Sequence, residues 1–328
     1  MITNLKGIYG SYWRRNRVKS VVMAVLLTAG VASAGWNEYP GRPTQNNLYA
    51  VDMLSEGEGW AVGYWGIILK CQGNVWAVDR NWPNATYLYD VDFKSSEFGM
   101  AVGSGGKAIK YQNGLWSEAA GLPTAGTFYG VSLPPGTENV AWAVGNGGRL
   151  YKYANNEWTQ VSLGTTVSLN DVHFRSANYG WVCGANGNTW RYDGSTWTNF
   201  KASTTNLYCI FAVQLGNVWA GGDNGKIYHF EGVNWSVVAT PTTARVRSLY
   251  FLGPSAGWAV CEDGVVLRYN GEWSQVTTTP PTTNDFYSLY MVNAQSGWAV
   301  GESGTIYQYV INPGVEPASL GRVKTLFR

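Results

Sequence analysis

The residues able to do chemistry in this 328-residue chain are few and scattered. There are two histidines, His173 and His229, and four cysteines, Cys71, Cys183, Cys209 and Cys261. No Cys-x-x-Cys pair occurs, so a zinc site lacks a ligand set. A hydrolytic triad needs a histidine oriented by a carboxylate, and neither histidine sits in such a motif. Asp90 with Asp171, or Asp52 with Asp92, are the residue types that cleave glycosides by paired acid and base. Polar strand positions held by hydrogen bonds explain the same residues more simply. No phosphate-cradling loop or dinucleotide fingerprint is present. The inventory predicts no catalytic residue, metal or cofactor, and points to binding.

The aromatic residues are better organised. One recurring position reads Tyr49, Tyr89, Tyr129, Asn170, Tyr208, Arg247 and Tyr287. Tyrosine offers an apolar ring and a hydroxyl, a combination that suits peptides and sugars. Two readings stand open: the set encircles a channel mouth, or each ring packs against its neighbour. Trp65 and Trp82 depart from the pattern around them. Trp65 falls in a hairpin turn where related turns carry Gly, Asn, Asp or Ser, and Trp82 falls in a loop. An aromatic in an exposed turn is often a binding anchor. The predicted ligand-binding set is therefore Trp65, Trp82, Tyr49, Tyr89, Tyr129, Tyr208, Arg247 and Tyr287. Turns further along carry Asp223, Glu262, Asp263 and Glu302, an acidic arc that turn chemistry accounts for equally well. Lys70, Lys110, Lys152, Arg191, His229, Arg268 and Gln308 share another position. Their stems are expected to cover apolar neighbours while their charges reach water.

The elements that position these residues repeat. Gly59-Trp60-Ala61-Val62-Gly63 returns six times, its second residue becoming Met100, Trp142, Trp181, Trp219, Trp258 and Trp298 at spacings of 40, 42, 39, 38, 39 and 40 residues. Such a period marks stacked supersecondary units. Each unit reads as four strands: one like Leu48–Met53, the Trp-Ala-Val strand, a third after a short Gly turn, and a fourth opening on Trp76, Trp116, Trp158, Trp197, Trp235 or Trp273. Asn113-Gly114, Asp193-Gly194 and Asn270-Gly271 are hairpin signals, because both central residues must accept positive φ. The pattern predicts an all-β, seven-bladed β-propeller of four antiparallel strands per blade. The seventh copy stops at Tyr309-Val310 without a fourth-strand tryptophan. Trp36-Asn37-Glu38-Tyr39 supplies the missing strand, since Trp36 precedes Trp60 by the 24 residues that separate Trp76 from Met100. The Pro/Thr-rich linkers, such as residues 277–283, read as surface loops. The cysteines read as small buried side chains, with Cys183–Cys209 the one pairing to check.

The ends differ from the repeats. Five basic residues precede an apolar run, Val21–Val31, and then Ala32-Ser33-Ala34. This is the layout of a secretory signal peptide over residues 1–34, cleaved before Gly35. Its removal leaves 18 basic and 21 acidic residues, so the overall charge of +2 is no argument for nucleic-acid binding. The propeller is expected over residues 35–310. Residues 311–328 form a tail with hydrophobes beside Arg322, Lys324 and Arg328. The mature protein is expected in the periplasm, on the cell surface or secreted, without stable membrane insertion, and monomeric.

The repeat Gly-Trp-Ala-Val-Gly-x-x-Gly-x-(Ile/Leu), written here as Gly297-Trp298-Ala299-Val300-Gly301-Glu302-Ser303-Gly304-Thr305-Ile306, resembles BNR-like propellers of photosystem II assembly factors and their bacterial relatives. The resemblance covers about residues 36–310. It implies the propeller fold and a role in binding a protein client in an exported compartment. Asp193-Gly194-Ser195-Thr196-Trp197 is also similar to a degenerate sialidase Asp-box, a structural turn in that family. The expected function is a non-enzymatic propeller binding a protein or peptide on its loop face. Carbohydrate binding there is the first alternative, and a glycoside hydrolase using channel carboxylates the second.

Overall fold

A computed structural model describes residues 35–83 and 86–311. The predicted signal peptide, and residues 312–328 of the predicted tail, lie outside the described residues. The described strands form seven sheets. The first strand of each packs beside the first strand of the next, and that of the last returns to the first, closing the ring. The predicted seven-bladed propeller is what the chain adopts. Blade 1 comprises Leu48–Ser55, Glu58–Gly63, Ile67–Gln72 and Val75–Asn81. The first strands begin at Leu48, Leu88, Phe128, Leu169, Leu207, Val246 and Phe286. All seven of these residues are fully buried.

The core lies between blades. Trp60, Met100, Trp142, Trp181, Trp219, Trp258 and Trp298 are at most 3% exposed. Trp60 stacks on Phe93 of the following blade at 3.8 Å, and Trp219 on Phe251 at 5.0 Å. Trp298 returns to blade 1, meeting Trp76 edge-on at 5.5 Å. Burial of each such ring supplies a large apolar area at one seam.

The glycine before the tryptophan makes room for that seam. Gly99 pairs across the strands with Phe93, and a Cβ on it would lie 2.5 Å from the Phe93 ring. Gly180 stands in the same relation to Phe174, at 2.6 Å. Blade 5 reverses the pair: Ala212 faces Val218, and both are fully buried. Bulk has moved from one strand to the other with the register unchanged.

Gly35–Glu38 pairs antiparallel with Ile306–Val310, Trp36 opposite Tyr309, as the sequence predicted. Trp36 is fully buried. The Tyr39 hydroxyl accepts the Trp76 N–H at 3.1 Å, joining this segment to blade 1. The linker before blade 7 departs from expectation. Thr278–Thr279 pairs parallel to Trp36–Asn37 and makes the last sheet five-stranded. A strand added at the outer edge of a sheet presents unpaired backbone on its far side, and this short strand covers it. The four cysteines, Cys183 and Cys209 included, are separate buried thiols.

Candidate functional site

The interblade loops and the turns between second and third strands share one face. In blade 1 the Tyr64 N–H donates to the Asn47 carbonyl at 2.8 Å, and the Trp82 N–H to the Gly66 carbonyl at 2.7 Å. On this face the channel opens as a cavity of about 540 Å³. Tyr49, Tyr89, Tyr129, Asn170, Tyr208, Arg247 and Tyr287 all line it, so the aligned position is brought together as one ring. Both sequence readings describe these tyrosines. They touch each other, with centroids 5.2 Å apart for Tyr49 and Tyr89, 5.5 Å for Tyr49 and Tyr287, and 5.6 Å for Tyr89 and Tyr129. They also keep part of their surface on the cavity. Burial pushes the Tyr89 and Tyr287 hydroxyls up to about 12, so both stay neutral donors and acceptors.

Trp65 stands on the same face outside the cavity, 53% exposed. Its backbone is left-handed, φ 58° and ψ 30°. The same turn position holds Gly105, Gly147, Asn186, Asn224, Asp263 and Ser303 elsewhere, mostly residues that accept this conformation cheaply. Two residues that the sequence did not single out connect Trp65 to the cavity. Tyr64 lies 6.0 Å from Trp65 and stacks on Tyr87 at 4.8 Å, and Tyr87 meets Tyr89 edge-on at 6.3 Å. The signal was present in the copies. Tyr87 aligns with Asn47, Thr127, Ser168, Asn206, Arg245 and Asp285, making it the one aromatic in that set. Trp82 does not line the cavity. It is half-buried against the core shared by blades 1 and 2 and braces the turn that carries Trp65.

Arg247 is already engaged. Its guanidinium bonds to Glu262 and lies over Tyr208 at 5.3 Å and Tyr287 at 5.6 Å. Arg245 bonds to Asp223 at 2.8 Å and Glu262 at 2.9 Å, and covers Tyr208 at 4.7 Å. The two arginines therefore neutralise the Asp223–Glu262 half of the predicted acidic arc.

Asp90, Asp171 and Leu249 line both this cavity and a second one of about 380 Å³ further along the channel. Each carboxylate clasps the first strand of the next blade. Asp90 accepts the Val91 N–H at 2.9 Å and the Val131 N–H at 2.7 Å. Asp171 accepts those of Val172 and Ile210, both at 2.7 Å. Asp52 takes the Phe93 N–H and Asp92 the Leu133 N–H, each at 2.6 Å. His173 does the same with its ring, Nδ1 accepting the Ala212 N–H at 3.1 Å. Protein surrounds the Asp90 and Asp171 side chains, yet part of each touches the channel. Desolvation raises all four acids, Asp92 and Asp171 to about 6, against the pull of their hydrogen bonds. It lowers His173 to about 4. These groups serve as interblade hydrogen-bond acceptors, and among the described residues no carboxylate pairs with His173. Among the described residues no three His, Cys, Asp or Glu side chains converge as a metal cage.

The basic ring is explained by packing. Lys70 is the cross-strand partner of Trp60 and lies over its indole at 5.1 Å. Lys152 over Trp142, Arg268 over Trp258 and His229 stacked on Trp219 repeat the arrangement. In the Asp-box-like turn, Asp193 accepts the Ser195 and Thr196 N–H groups at 2.9 and 2.8 Å. Those bonds hold its carboxyl well below the usual range, and the motif is a turn fastener.

No protein-family model matches the chain, and no curated protein matches it. Solved structures do. YCF48 from Cyanidioschyzon merolae is 19% identical with a TM-score of 0.68, covering 84% of this chain and 99% of that one. A structure described as YCF48 bound to D1 peptide is 15% identical with a TM-score of 0.72, covering 88% and 99%. A streptogramin B lyase is 15% identical with a TM-score of 0.74, covering 84% and 97%. Binders and a lyase thus share this architecture, and fold does not choose between them. What the likeness establishes is the fold, a seven-bladed β-propeller.

Proposed function

We propose that this chain is an exported, non-enzymatic propeller that binds a protein or peptide partner on its loop face. One observation carries the reading: a tryptophan held exposed in left-handed backbone, joined by Tyr64 and Tyr87 to a mouth ringed with tyrosines. Left-handed backbone at a bulky, half-exposed residue is an outlier that points toward function. Trp65, Tyr64 and Tyr87 form the outer contact, and Tyr49, Tyr89, Tyr129, Tyr208, Tyr287 and Arg247 the inner one, with Trp82 as brace. YCF48, a propeller of similar fold, is described bound to D1 peptide, which supports this reading. The engagement of the channel carboxylates as clasps supports the non-enzymatic part.

Selection of a phage-displayed peptide library on the full chain tests the site. Selected peptides should lose at least about tenfold in affinity on Trp65→Asn with Tyr64→Ala, the scale of an aromatic hot spot. Peptides that bind the variant unchanged would remove this face from consideration. Export rests on the layout of residues 1–34. The exported form should begin at Gly35, which N-terminal sequencing of envelope-fraction protein reads directly. A chain recovered with its first 34 residues intact would end the export proposal. Carbohydrate binding has one observation in its favour, the half-open tyrosine rings lining the cavity, and a silent glycan array would dispose of it.

A further inference from the structure

The mouth has two unlike halves. In one, Arg247 fills the space over Tyr208 and Tyr287, so the ring faces here already receive a cation. In the other, Tyr49, Tyr89 and Tyr129 form a continuous arc. Among the described residues no cation lies over these three rings. The face of a tyrosine ring attracts a cation, more strongly where water is excluded.

The floor beneath is acidic. Asp90 directly follows Tyr89, and Asp171 follows Asn170, at the register shift that opens each first strand, and both carboxylates line the cavity with the residues before them. Among the described residues neither forms a salt bridge, and the one arginine lining the cavity is bound to Glu262. A carboxylate offers about four acceptor sites. In Asp90 and Asp171 each oxygen takes one backbone N–H, which leaves capacity on the channel side. Leu249 lines both cavities with them. An anionic group entering here meets two carboxylates. A cationic side chain meets π-faces on the way in and carboxylates at the end.

We infer that the open half of the mouth takes a lysine or arginine side chain of the bound partner, its stem against Tyr49, Tyr89 and Tyr129 and its charge at Asp90 and Asp171. The inference rests on the peptide-binding reading above and adds the chemistry of the residue that enters the channel. The flexible four-carbon stem of lysine suits passage through the tyrosine tier. Burial without a counter-charge raises the proton affinity of both carboxyls, and an incoming cation supplies the missing charge.

The test uses fluorescein-labelled nonapeptides with flanks taken from the phage selection and Lys, Arg, norleucine or Glu at the centre. Fluorescence polarisation measures their binding to the full chain. Free n-butylguanidinium and n-butanol are titrated in parallel by calorimetry. Lys and Arg peptides should bind at least about tenfold tighter than the norleucine peptide, with Glu weakest; a gap of that size is about 1.4 kcal/mol. Asp90→Asn with Asp171→Asn should bring Lys and norleucine peptides together while binding itself persists. Tyr89→Leu with Tyr129→Leu should shrink the same gap and guards against a folding defect in the first variant. Equal binding of Lys and norleucine peptides, or a preference for Glu, overturns the inference and leaves the peptide-binding reading intact. If no peptide binds but n-butylguanidinium does, and the Asp variant abolishes it, the cation site stands and the peptide reading falls. Silence from both probes overturns both.

Discussion

Trp65 has a backbone conformation that its side chain makes costly. For an ordinary L-residue the left-handed region costs roughly 1–2 kcal/mol, and asparagine escapes part of this. Trp65→Asn, which reproduces the residue at the same turn in blade 4, should therefore stabilise the protein by about 1 kcal/mol in urea denaturation, while weakening the selected peptides. A loss of stability instead would mean the indole is braced by packing, and the functional argument from strain would fail. Asp171 offers a second test. Its carboxyl is raised to about 6 in the folded chain, against about 3.9 unfolded. Between those values the native state binds more protons than the unfolded one, so this group's contribution to stability falls as pH rises from about 4 to about 6. Asp171→Asn removes that dependence. Stability of the variant relative to wild type should rise by about 1–2 kcal/mol across the window, the full shift being reduced because the side chain touches channel water. His173, lowered to about 4, works in the opposite direction but is common to both proteins and cancels in the comparison. A flat difference would show that the Asp171 carboxyl is not raised.

The element that recurs is a pair of strands in which bulk is shared. Gly99 admits the Phe93 ring, and that ring receives Trp60 of the preceding blade. Blade 5 shows the alternative, Ala212 opposite Val218. Gly99→Val should cost about 2–3 kcal/mol, because overpacking a tight core forces neighbours off their rotamers. Phe93→Ala should cost about 3–5 kcal/mol through the cavity it leaves. The double variant, which imitates blade 5, should lose at least about 1 kcal/mol less than the sum, read as coupling in a double-mutant cycle. Strict additivity would separate the two sites and dismiss the shared-volume account. The same logic explains the basic ring. Lys70, Lys152, Arg268 and His229 are cross-strand partners of blade tryptophans and lie over their indoles, so their recurrence follows from that of the rings they cover.

Closure is a property of the whole ring. Trp36, Tyr39 and the Thr278–Thr279 strand tie the first described residues to the last blade and to blade 1. Trp36→Ala should cost about 3–5 kcal/mol, measured by urea denaturation. It should also expose the edge of Ile306–Val310 to self-association, visible as concentration-dependent sedimentation. A monomeric variant of unchanged stability would show that closure is carried by the contacts between first strands alone. Ring closure also creates the site: residues about 40 positions apart meet only because seven first strands turn inward around one axis.

By itself the sequence determined the architecture and its seam, because each blade states its periodicity locally and seven copies average out the exceptions. It also aligned Tyr49, Tyr89, Tyr129, Asn170, Tyr208, Arg247 and Tyr287, since a shared repeat position becomes a shared place in the ring. It could not weigh them. That Arg247 is spent on Glu262 and that Asp90 and Asp171 lie at the floor were decided by tertiary structure, and although Tyr87 stands out among its copies, so was its reach with Tyr64 from Trp65 to the mouth. Charges and rings from different blades meet across the channel at distances set by the ring's closure, and those distances decide which groups are paired and which remain open to a partner.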